Sequence, residues 1–162
     1  MLEADFVIVG AGSSGCVLAD KLSANGKHSV LVLEAGGTDL RFWVQVPLGY
    51  GKTFYDKAIN WAYVTEPDPG LNGQQDYWPR GKILGGSSSI NAMVYIRGNE
   101  QDFDGWEKAA GKGWSWANVR RLYDELESGP LKITNPKHHL HPLCRAYLEA
   151  AQQAGLPFNE DF

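Results

Sequence analysis

The 162-residue sequence predicts an α/β fold built around one strand–turn–helix–strand unit, and three observations carry that prediction. Phe6 to Val9 is a short run of apolar, strand-favouring residues. Gly10, Gly12 and Gly15 follow it at G-x-G-x-x-G spacing, ahead of a stretch with helical residue preferences. Val30 to Leu33 is a second all-apolar run, and Glu34 closes it at the ~20-residue distance from the glycines at which an acidic residue meets a ribose.

Together these form a Rossmann-like dinucleotide-binding unit over residues 5–36. The first glycine permits the tight turn out of the strand, the second lets a pyrophosphate approach the backbone, and the third lets helix and strand pack closely. The helix then aims its N-terminal amides at the phosphates. A carboxylate at Glu34 grips ribose hydroxyls and repels a 2′-phosphate, so FAD or NAD fits better than NADP.

Composition sets outer limits. The chain is long enough to bury one sizeable core but short for a two-domain oxidoreductase. With 43% apolar and 21% charged residues it is ordinary for a globular protein, and a net charge of −4 favours neither nucleic acid nor an anionic membrane as partner. Cys16 and Cys144 make no disulfide framework and no metal spacing, so a reducing, cytoplasmic location is expected. Glu3 and Asp5 stand where a signal peptide has cations, and no stretch reaches the ~18 to 20 apolar residues of a transmembrane segment.

Taken in order, Ser14 to Ala24 is the helix, with Val17, Leu18 and Leu22 expected on its inner side and Asn25-Gly26 as its stop. Ala35-Gly36-Gly37 turns the chain sharply. Leu40 to Ile59 has no sustained helical period and reads as an insertion that interrupts the Rossmann pattern. Asn60 to Thr65 alternates as a strand, and a turn-rich connection returns to Tyr77-Trp78. Gly85-Gly86 and Ser87-Ser88-Ser89 form a small-residue segment able to lie against a planar or phosphate-bearing ligand, followed by Asn91, Ala92, Met93 and a strand from Met93 to Ile96.

The run from Gly81 to Asp104 resembles the first signature of the glucose-methanol-choline (GMC) oxidoreductases: Gly-Lys-x-Leu-Gly-Gly-Ser-Ser-x-Ile-Asn, then Tyr95, Gly98 and Asp104 in register. The resemblance extends over nearly the whole chain and weakens after about Glu127. It implies the N-terminal portion of a two-domain flavoprotein, with part of the FAD-binding domain at 1–105, its flavin-contacting block at 79–98, and a helical segment opening the substrate-binding domain at 106–162. It implies that Ser13 and Ser14 lie by the pyrophosphate, that Glu34 binds the adenosine ribose, that Ser87 touches the cofactor, and that Asn91, Ala92 and Val94 run along the flavin. Gly10, Gly12, Gly15, Ala35, Gly85, Gly86 and Met93 complete the candidate cofactor-binding set. Some members attach FAD through a histidine just before that asparagine. Ile90 stands here, so the resemblance implies noncovalent FAD.

Further on, Ser115 is an expected N-cap for a helix to about Ser128, with Val119, Leu122, Tyr123 and Leu126 on one buried face. Trp114 and Trp116 read as core. Gly129 to Ile133 is an expected short strand that nearly abuts this helix, where the family commonly has a longer loop. His138, His139 and His141 have no acidic or cysteine partner at ligand spacing, so no metal site is predicted. A last helix starts near Pro142, with Leu143, Tyr147, Ala150 and Ala154 along one face and Gly155 as its stop.

The family oxidises alcohols by moving hydride from the carbinol carbon to flavin N5 while a base takes the hydroxyl proton. That base is a histidine near the end of a chain several hundred residues long, and no motif here matches it. No catalytic residue is therefore assigned. The remainder of the enzyme is expected as another chain or a missing segment, with an alcohol as substrate. The alternatives are an NAD-dependent dehydrogenase and a non-catalytic nucleotide-binding fragment.

Overall fold

The structure, a computed structural model, describes residues 2–129 and 131–159, and of His138 the backbone alone. The chain divides into two compact units, Met1–Val94 and Tyr95–Phe162, so the expected boundary at 105/106 falls inside a helix of the second.

In the first unit, β1 (Phe6–Val9), α1 (Ser13–Ser23) and β2 (Val30–Leu33) make the expected βαβ unit. The strands pair in parallel with Phe6 opposite Val30 and Val9 opposite Leu33. The helix starts one residue earlier than its propensities suggest, because Gly12 takes the extended N-cap conformation. Its expected inner face is corrected. Val17 and Leu18 are half exposed, and the buried residue of α1 is Gly15. A sheet of two strands is too narrow to cover the apolar stripe, and the helix meets it through its smallest residue.

The insertion after β2 winds into α2 (Phe42–Gln45), a 3-10 turn at Pro47–Gly49 and α3 (Tyr50–Thr53). Each is too short to carry the period that marks a helix in sequence. Beneath them lies the core of this unit, where Ile59, Ile83 and Ile90 pack together against Val44. Buried Asn60 ties the surrounding loops. Its Nδ2 donates to the Phe54 carbonyl at 2.7 Å and to the Tyr77 hydroxyl at 3.2 Å, while Oδ1 accepts from the amides of Ala62 and Arg80, each at 2.9 Å.

The strand expected over 60–65 shrinks to β3 (Tyr63–Val64), paired antiparallel with β4 (Tyr77–Trp78). Ala62 is the reason, since its φ of +52° breaks the extended run. The strand expected at Met93–Ile96 is absent for a similar reason. Asn91 Oδ1 accepts from the Met93 amide at 2.9 Å, Met93 adopts φ +58°, and the segment after it joins no ladder among the described residues.

The second unit contains α4 (Glu100–Ala110), α5 (Trp116–Ser128) and α6 (Pro142–Gln153). The sequence reading missed α4 as a distinct helix. Its signals are an extended Asn99 at the N-cap, Glu100 and Asp102 in the first turn, Lys108 in the last, and Gly111 at φ +101° beyond the end. Phe103 is its buried residue and gathers rings around it, with centroids 5.3 Å from Trp106, 5.5 Å from Trp116 and 6.3 Å from Tyr123.

Ser115 does occupy the N-cap of α5, but by its carbonyl. Its hydroxyl accepts from Asn118 Nδ2 and makes no backbone cap. The face expected to be buried is only partly so, since Val119 and Tyr123 are half-buried while Leu122 and Leu126 are exposed. Leu143 and Tyr147 of α6 are exposed as well. Of the strand expected at 129–133, residue 130 lies outside the described residues, and 131–133 form no strand.

Candidate functional site

Three turns meet at the carboxyl ends of β1 and β2, the end of a parallel sheet at which ligands bind. The first is Gly10 to Ser14, the second Glu34 to Gly37, and the third Gly81 to Ser89. Gly10 donates its amide to the Leu33 carbonyl at 2.7 Å, extending the strand pairing into the turn. Leu84 donates to the Gly37 carbonyl at 2.9 Å, and Gly85 donates to the Ala11 carbonyl at 2.8 Å. The two blocks singled out in the sequence are therefore hydrogen-bonded to each other.

The glycines make this approach possible, each differently. Gly10 has φ +95°, the left-handed region that only glycine enters freely. A methyl on Gly15 would stand 2.0 Å from the Gly10 carbonyl oxygen, so helix and turn could not close. One on Gly86 would stand 2.9 Å from Gly12 Cα. A methyl on Gly12 would meet Gly86 Cα at 3.9 Å, an ordinary van der Waals contact, so the two glycine turns lie with their backbones side by side. Among the described residues no side chain caps the N-terminus of α1, which leaves its first amides and the positive end of its dipole available to an anion. A pyrophosphate fits this cradle.

Glu34 is half-buried between the first two turns. Oε2 accepts from the Ala11 amide at 2.8 Å and Oε1 from the Gly36 amide at 2.9 Å. In the third turn Gly86–Ser89 is a 3-10 turn, and Ser87 Oγ accepts from the Gly81 amide at 3.1 Å.

Thus Gly10, Gly12, Ser13, Ser14, Gly15, Glu34, Ala35, Gly85, Gly86 and Ser87 come together around one end of the sheet. Asn91, Ala92, Met93 and Val94 follow on an exposed segment. Asn91 and Met93 line a cavity of about 240 Å³ together with Trp43, Tyr50 and Ser89, whereas Ala92 and Val94 do not reach it. The sequence reading missed Ala11, which is buried and accepts from Gly85, because a motif pattern treats the positions between its glycines as neutral. It also missed Trp43 and Tyr50, whose one signal was the aromatic density of the insertion.

Residues 4–162 match the family model described as GMC oxidoreductase. The chain belongs to the GMC oxidoreductase family. It is 43% identical to an oxygen-dependent choline dehydrogenase of Rhizobium etli, covering 99% of this chain and 31% of that protein. It is 44% identical to an alcohol dehydrogenase (acceptor) of Pseudomonas putida, covering 98% and 31%. Among solved structures, pyridoxine 4-oxidase from Mesorbium loti superposes with a TM-score of 0.84 at 34% identity, covering 96% of this chain and 33% of that one.

The chain thus corresponds to the N-terminal, FAD-binding part of a GMC oxidoreductase and spans about a third of the length of the relatives it matches. The fold is the interrupted Rossmann-like one that the sequence predicts. Among the described residues, no helix is long and apolar enough to cross a membrane.

Proposed function

We propose that this chain supplies the cofactor-holding part of an enzyme that oxidises alcohols at CH–OH groups with FAD bound noncovalently. The observation that carries the reading is the Gly85 to Ala11 hydrogen bond, because it joins the family's flavin block to the glycine-rich turn. The names of the relatives, choline dehydrogenase and alcohol dehydrogenase, support an alcohol as substrate.

When bound, the flavin supplies the hydride acceptor. The residues of this chain bind and orient it. The amides opening α1, with Ser13 and Ser14, hold the pyrophosphate beside Gly10, Gly12 and Gly15. Glu34, next to Ala35, takes the ribose hydroxyls. Gly85, Gly86 and Ser87 carry the chain past the cofactor, and Asn91, Ala92, Met93 and Val94 border the ring. Ile90 offers no nucleophile for a covalent link, and it is turned into the core with Ile59 and Ile83.

The proton acceptor is assigned outside these residues. His28 packs edge-on against Phe6 at the amino end of β1, away from the site, and His141 caps α6 by accepting from the Leu143 amide. The substrate pocket and base belong to the remainder of the enzyme, carried in the same polypeptide or another. The cytoplasm is the proposed compartment, in keeping with two free, exposed cysteines.

The test is the visible spectrum of the intact purified enzyme under anaerobic conditions. Flavin absorption that bleaches on adding choline or a simple primary alcohol is expected. A colourless protein that turns over alcohols with added NAD contradicts the reading.

A further inference from the structure

We propose that the carboxylate of Glu34 also sets the shape of the glycine-rich turn before any cofactor arrives, which makes Glu34 a positioning residue as well as a ribose ligand. The inference rests on reading this site as the FAD site, although the contacts that suggest it lie wholly within the protein.

Each oxygen of Glu34 holds a backbone amide, Oε2 that of Ala11 at 2.8 Å and Oε1 that of Gly36 at 2.9 Å. The Gly36 bond is local and fixes the carboxylate at the end of β2. The Ala11 bond reaches across to the turn after β1. Ala11 directly follows Gly10, whose φ is +95°. A glycine there passes readily between positive and negative φ, so something must hold the next peptide in place.

The other side of Ala11 is also engaged. Its carbonyl accepts from the Gly85 amide at 2.8 Å and from the Cys16 thiol at 3.3 Å. Ala11 therefore spends its backbone groups inside the protein and acts as the joint between three turns, with Glu34 as the clamp on its donor side. An ionised carboxylate oxygen accepts more than one hydrogen bond. Each Glu34 oxygen can hold its amide and still receive a ribose hydroxyl, so the turn is shaped by the same group that binds the nucleotide.

Substitutions separate the two roles. Glutamine has a single acceptor oxygen, so in Glu34→Gln one of the two amides faces an NH₂ donor. Glu34→Asp keeps the charge but is one methylene shorter and reaches one amide at most; it also serves if Glu34→Gln does not fold. In the intact enzyme stripped of flavin, backbone hydrogen exchange is measured at residues 11 and 36, and affinity is measured by flavin fluorescence for FAD and for its 2′,3′-dideoxyadenosine analogue, which has no ribose hydroxyls to offer on the adenosine side.

The clamp predicts faster exchange at both positions in the apo-enzyme. It also predicts about tenfold weaker binding of the dideoxy analogue by both variants than by wild type, the size of one charge-assisted hydrogen bond. Equal affinity of wild type and both variants for the analogue, or unchanged exchange at residues 11 and 36, overturns the proposal. If the wild-type enzyme binds neither flavin, the FAD reading fails separately, and the exchange comparison alone decides whether Glu34 clamps the turn.

Discussion

The amide of Gly85 donates to the carbonyl of Ala11 at 2.8 Å, so two stretches far apart in sequence share a backbone hydrogen bond at the end of the parallel strands. The approach requires glycine at position 86, where φ is +60° and a methyl would stand 2.9 Å from Gly12 Cα.

Gly15→Ala places a methyl 2.0 Å from the Gly10 carbonyl oxygen, and the turn must shift to admit it. A loss of stability on the order of 1–3 kcal/mol is expected from overpacking, with a fall in bound flavin. Gly105→Ala is the control. That glycine sits within α4 with open space around it, so alanine there is expected to stabilise by about 0.4–1 kcal/mol and leave flavin content unchanged. Thermal unfolding and flavin-to-protein ratio check both.

Phe103 is 7% exposed and stands among Trp106, Trp116 and Tyr123. Phe103→Ala is expected to cost about 3–5 kcal/mol, as large-to-small changes at buried aromatic positions do. Loss of near-ultraviolet circular dichroism from the tryptophans, together with a lower denaturant midpoint, is the signature to look for.

Arg97 binds Glu127, with Nε donating at 2.7 Å, and also reaches Asp124 at 2.9 Å, while the Tyr95 hydroxyl donates to Glu127 at 2.9 Å. The hydrogen bond from Arg97 holds the Glu127 carboxyl below the ordinary carboxylate range. A depressed folded-state pKa contributes stability above the unfolded pKa, near 4.3 for a glutamate, and that contribution disappears as pH falls through the folded value. Glu127→Gln should therefore lower stability at neutral pH, with the gap to wild type closing in acid. A gap that stays constant from pH 7 to pH 3 in urea titrations would count against this.

The proposed noncovalent attachment makes a simple prediction. Acid precipitation of the holoenzyme should release the flavin to the supernatant and leave a colourless pellet, because Ile90 has no group to bond it. A yellow pellet would point to attachment at some other residue.

Much of the cofactor end was legible because local chemistry determines it. β1 and β2 are short apolar runs bounded by glycine on one side and a carboxylate on the other, and they appear where the residues place them. What failed was the inference from an apolar stripe to a buried face. Val17, Leu18, Leu122, Leu126, Leu143 and Tyr147 recur at helical spacing but are exposed. Periodicity tells which residues share a face, and nothing about what covers it. The strand expected at Met93–Ile96 failed likewise, since a strand needs a partner for its ladder and Met93 turns left-handed instead. The clamp at Glu34 was beyond reach because it joins a side chain to a backbone amide 23 residues away.

The central claim, that the two blocks converge on FAD, is tested most directly by a crystal structure of the intact enzyme with its flavin. The account predicts the pyrophosphate against Gly12, Ser13 and Ser14, the adenosine ribose on Glu34, and the ring system bordered by Ser87 and Asn91 through Val94. A nucleotide bound away from the carboxyl ends of β1 and β2, or a flavin that leaves Gly85 to Val94 untouched, would contradict it.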